Sequence, residues 1–266
     1  MTPPPLTATP PARPAGLTTD TDVALPGARS MRVATVLPTG DEPAGGWPGV
    51  IVLHELYGLQ PEIRAVGEHF AAHGWAAVVP DFFSAGNRVG CLVKALSEAN
   101  AGKPGPITED LESVRAWWAA QPHVDGDRIV VLGFCLGGAL AMLLGGRSDG
   151  IRAVSANYGQ LPKVETLRGC APVLASYGGR DRFLGSKGPV LDQRLAEAGV
   201  EHDVTTYPDA GHSFLTHGEH PVAHVLFLPL HAGFVADAAE AEWQRIFAWF
   251  DGHAGPAQPA EGGPTV

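Results

Sequence analysis

The sequence predicts an α/β protein with a mostly parallel central sheet and helices on both of its faces. Three observations carry that reading. Short β-branched runs, Val50-Ile-Val-Leu53 and Ile129-Val-Val-Leu132 among them, suit strands buried on both sides. Amphipathic segments with helix punctuation lie between such runs. Four polar residues, Glu55, Cys135, Asp181 and His212, stand at the ends of predicted strands. Open parallel sheets bind their ligands there.

Taken in order, residues 1–18 are rich in Pro, Thr and Ala and read as a disordered arm. Residues 31–37 form a strand, paired with 23–25 across a Pro26-Gly27 turn. The strand at 50–53 ends at His54-Glu-Leu-Tyr-Gly58. Pro61 then opens a helix to residue 73, which Gly74 ends. A strand at 76–80 ends in Asp81, and a helix covers 92–99. Thr108 caps a helix to residue 121, with Glu109, Asp110 and Glu112 in its first turn, where the dipole favours acids. Strands follow at 129–132, 153–158, 173–177 and 202–207, with a helix at 189–198 stopped by Gly199. A last amphipathic helix at 238–251 places Trp243, Ile246, Phe247 and Phe250 on one face. One domain is expected over 19–253, followed by a disordered tail at 254–266. The apolar segment 221–234 is read as a flap, a subunit contact or core.

The net charge of −10 and a pI near 5.5 argue against nucleic acid or an anionic membrane as partner. Cys91, Cys135 and Cys170 are odd in number and widely spaced, unlike a disulfide framework or a zinc site. No signal peptide and no membrane span is apparent, so a cytoplasmic protein with reduced thiols is expected.

The chemistry centres on Gly133-Phe-Cys-Leu-Gly137, a thiol at a strand-to-helix turn with glycine two residues to either side. A nucleophile elbow has this layout, because side chains at the glycine positions would crowd the neighbouring strand and helix. The helix that follows turns free N–H groups and its positive end toward the sulfur. A cysteine in such a place is otherwise a small buried hydrophobe, so the rest of the chain must decide. Asp181 and His212 follow in the order nucleophile, acid, histidine. An imidazole can take the thiol proton, and a carboxylate fixes the imidazole tautomer. An oxyanion hole needs two backbone donors, assigned to the N–H groups of Leu136 and Leu56.

With these residues in place the chain resembles the dienelactone hydrolases of the α/β-hydrolase superfamily. The resemblance runs through His54-Glu-Leu-Tyr-Gly58, Pro80-Asp-Phe-Phe83, Gly133-Phe-Cys-Leu-Gly-Gly-Ala139, Tyr158-Gly159, Gly178-Gly-Arg-Asp-Arg-Phe183 and Gly211-His-Ser-Phe214, across residues 28–252. It implies the α/β-hydrolase fold and a Cys135–Asp181–His212 triad. It also implies Glu55 as an auxiliary acid that pairs with the resting thiol until an anionic substrate displaces it. Members that open dienelactone hold its carboxylate with arginines, one shortly after the histidine. Here Leu215 and Thr216 stand there instead, leaving Arg88, Arg180 or Arg182 as candidate substitutes.

The expected activity is hydrolysis of a lactone or small carboxylic ester, with no cofactor and no metal. Substrate contacts are assigned to Tyr57, Arg88, Tyr158, Phe183 and Phe214. The expected state is a monomer or homodimer. A general esterase or thioesterase with no need for an anionic substrate is the alternative, and a non-catalytic ligand-binding protein of this fold is a third reading.

Overall fold

The computed structural model describes residues 18–216 and 233–255. The expectations for residues 1–17, most of the apolar segment 221–234, and residues 256–266 lie outside them. Eight strands form one sheet: β1 (Thr18–Leu25), β2 (Arg29–Val36), β3 (Trp47–Leu53), β4 (Ala76–Pro80), β5 (Val124–Phe134), β6 (Val154–Asn157), β7 (Val173–Gly178) and β8 (His202–Tyr207). Their spatial order is β1-β2-β4-β3-β5-β6-β7-β8. The hairpin β1–β2 and the pair β2–β4 are antiparallel, and all other pairs are parallel. The sheet class read from the sequence is therefore the one found.

The helices are α1 (Pro61–Ala72), α2 (Arg88–Ala101), α3 (Pro106–Ala119), α4 (Leu136–Gly145), the short α5 (Val164–Leu167), α6 (Gly188–Ala198) and α7 (Ala236–Ala254). Helices α1 and α7 cover one face, and α2 to α6 the other. Along β3, Ile51 and Leu53 join the core under α2–α4 while Val50 and Val52 join the opposite one. Both faces being apolar explains why these strands read as continuous rather than alternating runs. The four α7 residues predicted to share a face are all buried. Phe247 and Phe250 meet Phe70 of α1 at ring centroid distances of 4.9 and 6.0 Å.

Most boundaries differ from expectation by a few residues, as helix ends do. Two differences have causes. Helix α2 starts at Arg88 because the Asn87 side chain accepts a hydrogen bond from the Gly90 N–H at 3.1 Å. The expected Thr108 cap is incorrect: α3 begins at Pro106, and Thr108 lies inside its first turn. The cap comes from Glu98 on α2. Its carboxylate accepts the N–H of Ile107 at 2.7 Å, the N–H of Thr108 at 3.0 Å and the Thr108 hydroxyl at 2.7 Å. A negative charge at a helix N-terminus is favoured. This one is almost fully buried, so it also locks α2 to α3. At the other end of the sheet, Arg29 grips buried Asp110 of α3 with two hydrogen bonds of 2.7 and 2.6 Å, tying the β1–β2 hairpin to the helical layer. Among the described residues no helix is long and apolar enough to cross a membrane.

Replacing Glu98 with Ala leaves two buried N–H donors without partners, at a cost of about 2–4 kcal/mol. Thermal denaturation followed by circular dichroism should show the midpoint falling by roughly 5–15 °C. An unchanged midpoint would mean that the cap adds nothing to stability.

Candidate active site

Strand β5 delivers Cys135 to the carboxyl end of the sheet, where the backbone turns with φ 52° and ψ −111° before α4 begins. That is a costly conformation for a residue with a Cβ. Its neighbours hold it there. A Cβ on Gly133 would overlap the Gly137 carbonyl, and one on Gly137 would overlap the Leu53 carbonyl. The crowding expected from the glycine spacing is therefore present. A buried polar cluster supplies the rest. The Cys135 N–H donates to the Asn157 carbonyl at 3.0 Å, and the Asn157 side-chain NH₂ donates to the Gly133 carbonyl at 3.2 Å. The Ser176 hydroxyl of β7 in turn donates to Asn157 Oδ1 at 2.8 Å. Leu136 is the first residue of α4, so its N–H has no intrahelical partner.

Asp181 follows β7 and is almost fully buried. Its Oδ1 accepts the N–H groups of Phe183 and Leu184 at 2.9 and 3.1 Å. Its Oδ2 accepts His212 Nδ1–H at 2.7 Å. With Nδ1 committed, Nε2 is the nitrogen left for the thiol. Burial works to lower the pKa of His212, but the charge on Cys135, with the hydrogen bonds to Asp181 and Cys135, outweighs it and holds the ring well above its ordinary value. Cys135 is half-buried and lies within hydrogen-bond reach of this ring.

Glu55, half-buried in the loop after β3, is anchored from below. The fully buried His54 donates from Nδ1 to the Glu55 carbonyl oxygen at 2.7 Å and stacks on Phe82 at 3.7 Å. The other ring nitrogen lies 3.6 Å from Asp81. Burial pushes the Asp81 carboxyl up, yet contact with His54 and the charge of Arg88 bring it below its usual value. The Glu55 side chain turns its Oε1 to three hydroxyls: Ser213 at 3.1 Å, Tyr158 at 3.3 Å and Thr216 at 3.3 Å. Cys135, Tyr158 and Ser213 are three of the four non-glycine residues with positive φ among those described, the other being Ala28. Strained backbone is concentrated here.

The structure thus gathers Cys135, Asp181, His212 and Glu55 at one end of the sheet, with Leu56 in the Glu55 loop. The assigned substrate contacts fare unevenly. Tyr57 is half-buried, its carbonyl accepting from Arg88 Nη2 at 2.7 Å. Arg88 also lies over the Phe83 ring at 5.4 Å, so it braces the loop. Arg180 pairs with Asp209 at 3.0 Å on the surface, and Arg182 is exposed. Phe183 is exposed too. Tyr158 and Phe214 are both completely buried. Tyr158 packs edge-on against His212 at 5.0 Å, and Phe214 lies 5.6 Å from Tyr158 and 5.2 Å from Tyr207. Ser213, Thr216, His54 and Asp81 join the site only through the fold. The His-Ser-Phe motif already contained one hydroxyl, but nothing in the spacing shows that it points at Glu55.

The family model of the dienelactone hydrolase family matches residues 33–254. The chain belongs to that family. A Yersinia pestis protein named "Putative carboxymethylenebutenolidase" is 28% identical over 241 residues, covering 82% of this chain and 83% of its own length. An Escherichia coli K12 protein of the same name is 30% identical, with 79% of each chain covered. The crystal structure of a Klebsiella pneumoniae protein named "Putative Dienelactone Hydrolase" has a TM-score of 0.69 at 26% identity, over 88% of this chain and 99% of its own. A dienelactone hydrolase-like promiscuous phosphotriesterase from metagenomic libraries has a TM-score of 0.75 at 22% identity, covering 90% of this chain and 99% of its own, and bears on the fold alone. The family and the α/β-hydrolase fold read from the sequence are those found.

Replacing Asp181 with Asn removes one support of the imidazolium. Alkylation of Cys135 by iodoacetamide should then lose its rate below neutral pH, because the thiolate is no longer stabilised by a charged ring. The wild-type rate should persist to lower pH, since a raised His212 pKa keeps the ring positive until pH rises through that value. Superimposable pH profiles would separate Asp181 from the thiol.

Proposed function

We propose that this dienelactone hydrolase family member hydrolyses a lactone or small carboxylic ester through a cysteine nucleophile. The observation that carries the reading is the buried His212–Asp181 pair at 2.7 Å, coupled to a thiol on a strained elbow. Cys135 Sγ attacks the substrate carbonyl as thiolate. The N–H groups of Leu136 and Leu56 receive the developing oxyanion. His212 Nε2 gives its proton to the departing alkoxide, leaving a thioester on Cys135 and a neutral ring.

The second half follows from the first. Acylation removes the sulfur's negative charge, which had favoured the imidazolium. The ring is therefore neutral when a water molecule must be activated, and Asp181 keeps it in the required tautomer. Water attacks the thioester, its proton passes to His212, and the acid leaves as the thiolate re-forms. Glu55 contributes a negative charge near this centre, and both Tyr57 and Tyr158 feel it together with Cys135. No cofactor enters the scheme. A thiol nucleophile suits a reducing compartment, and the cytoplasm is the one proposed.

Purified Cys135→Ala should lose turnover of 4-nitrophenyl acetate by about 10³-fold or more, with the fold kept by circular dichroism. Mass spectrometry of wild-type protein quenched during turnover should find the acyl group on the peptide carrying Cys135. Activity retained in Cys135→Ala would end the reading.

A further inference from the structure

The surroundings of Glu55 carry a conclusion about substrate class, which rests on the hydrolase reading above. The carboxylate oxygen Oε1 is satisfied by Ser213, Tyr158 and Thr216, all neutral donors. Thr216 and Tyr158 are buried. Ser213 is held with φ 56°, which commits that short turn to this geometry. Of the cations on the neighbouring loops, Arg88 bonds the Tyr57 carbonyl and covers the Phe83 face, Arg180 pairs with Asp209, Lys187 bonds Gln160, and Arg182 is exposed; none of them bonds Glu55. The sequence from Leu195 to Gln244 contains neither Lys nor Arg, and Arg245 beyond it is paired with Glu242 and Asp203. Among the described residues in contact at this centre, Cys135, Asp181 and Glu55 can carry negative charge and His212 a positive one.

We propose that Thr216, with Ser213 and Tyr158, fixes Glu55 as an uncompensated carboxylate, making the site selective for uncharged acyl groups and against those that carry a carboxylate of their own. Two like charges several ångströms apart, in a partly desolvated site, repel strongly enough to change a rate by about tenfold or more. Thr216 is the specificity-determining position, because a cation there would sit against Glu55 and offer its remaining N–H donors to an anion.

Two pairs of matched probes test this. The first pair is 4-nitrophenyl butyrate and mono-4-nitrophenyl succinate, which share a leaving group and differ in a terminal carboxylate. The wild type should favour the butyrate in kcat/KM by about tenfold or more, and Thr216→Arg should shrink or invert that ratio. The second pair, iodoacetamide and iodoacetate, needs no turnover: the Cys135 thiolate displaces iodide from either, and peptide mass spectrometry reads the label. Glu55→Gln and Thr216→Arg should each raise the iodoacetate rate relative to iodoacetamide by about tenfold, as expected when one charge is removed or offset. If neither ester is turned over, the hydrolase reading falls, and the alkylation ratios alone decide on charge selection. If Thr216→Arg does not fold, Glu55→Gln decides. A wild type that takes both esters equally or prefers the succinate, or alkylation ratios unmoved in the variants, overturns the proposal.

Discussion

A buried asparagine governs how this molecule is assembled around its thiol. Asn157 ends β6, and its backbone carbonyl holds the Cys135 N–H while its side chain holds the Gly133 carbonyl and contacts Ser155. Ser176 of β7 closes the cluster. Polar groups fully buried in a parallel sheet are costly unless each is satisfied, and a satisfied cluster is correspondingly rigid. Here it makes the strained turn at Cys135 the low-energy choice for the whole chain, although it is a poor choice for the residue alone. Because the same cluster registers β6 against β7, it also sets where β7 releases Asp181. Cys135 and Asp181 are thus positioned by one set of hydrogen bonds, though they lie far apart in sequence.

Electrostatics then divides the labour. Asp181 is saturated by two backbone N–H groups and the imidazole, so its charge is fixed in place and aimed at one nitrogen. His212 is pulled between burial, which disfavours its cation, and two anionic neighbours, which favour it. A group poised between such opposing terms changes protonation when one neighbour changes charge. On the proposed chemistry, acylation of Cys135 is that change, and no conformational step is needed to turn the ring from acid to base.

The fold was legible because its strands are buried on both faces. Runs such as Ile129-Val-Val-Leu132 tolerate no polar residue, and glycine punctuates the helices at Gly74 and Gly199, both with positive φ. The elbow was legible for a steric reason: Gly133 and Gly137 are needed wherever strand, turn and helix pack this closely. What local reading missed were contacts between distant segments. Glu98 caps a helix that begins several residues later on another element, which made Thr108 look like the cap. Phe214 and Tyr158 sit in motifs beside catalytic residue types, and only the packing shows that they face inward. The ring of hydroxyls on Glu55 joins three segments, and no spacing rule connects them.

Glu55 is where resemblance and structure part. The resemblance implies a carboxylate that rests on the thiol and leaves it when an anionic substrate arrives. A displacement of that kind needs a partner able to draw the carboxylate away and a cation to hold the incoming charge. In this chain Oε1 already rests on three hydroxyls, and position 216, one of them, is a threonine. Neutral donors on a fixed loop have no charge to exchange with a substrate, so they give Glu55 little reason to move during binding. On the proposed chemistry, Glu55 then acts as a standing negative charge that the substrate must accommodate.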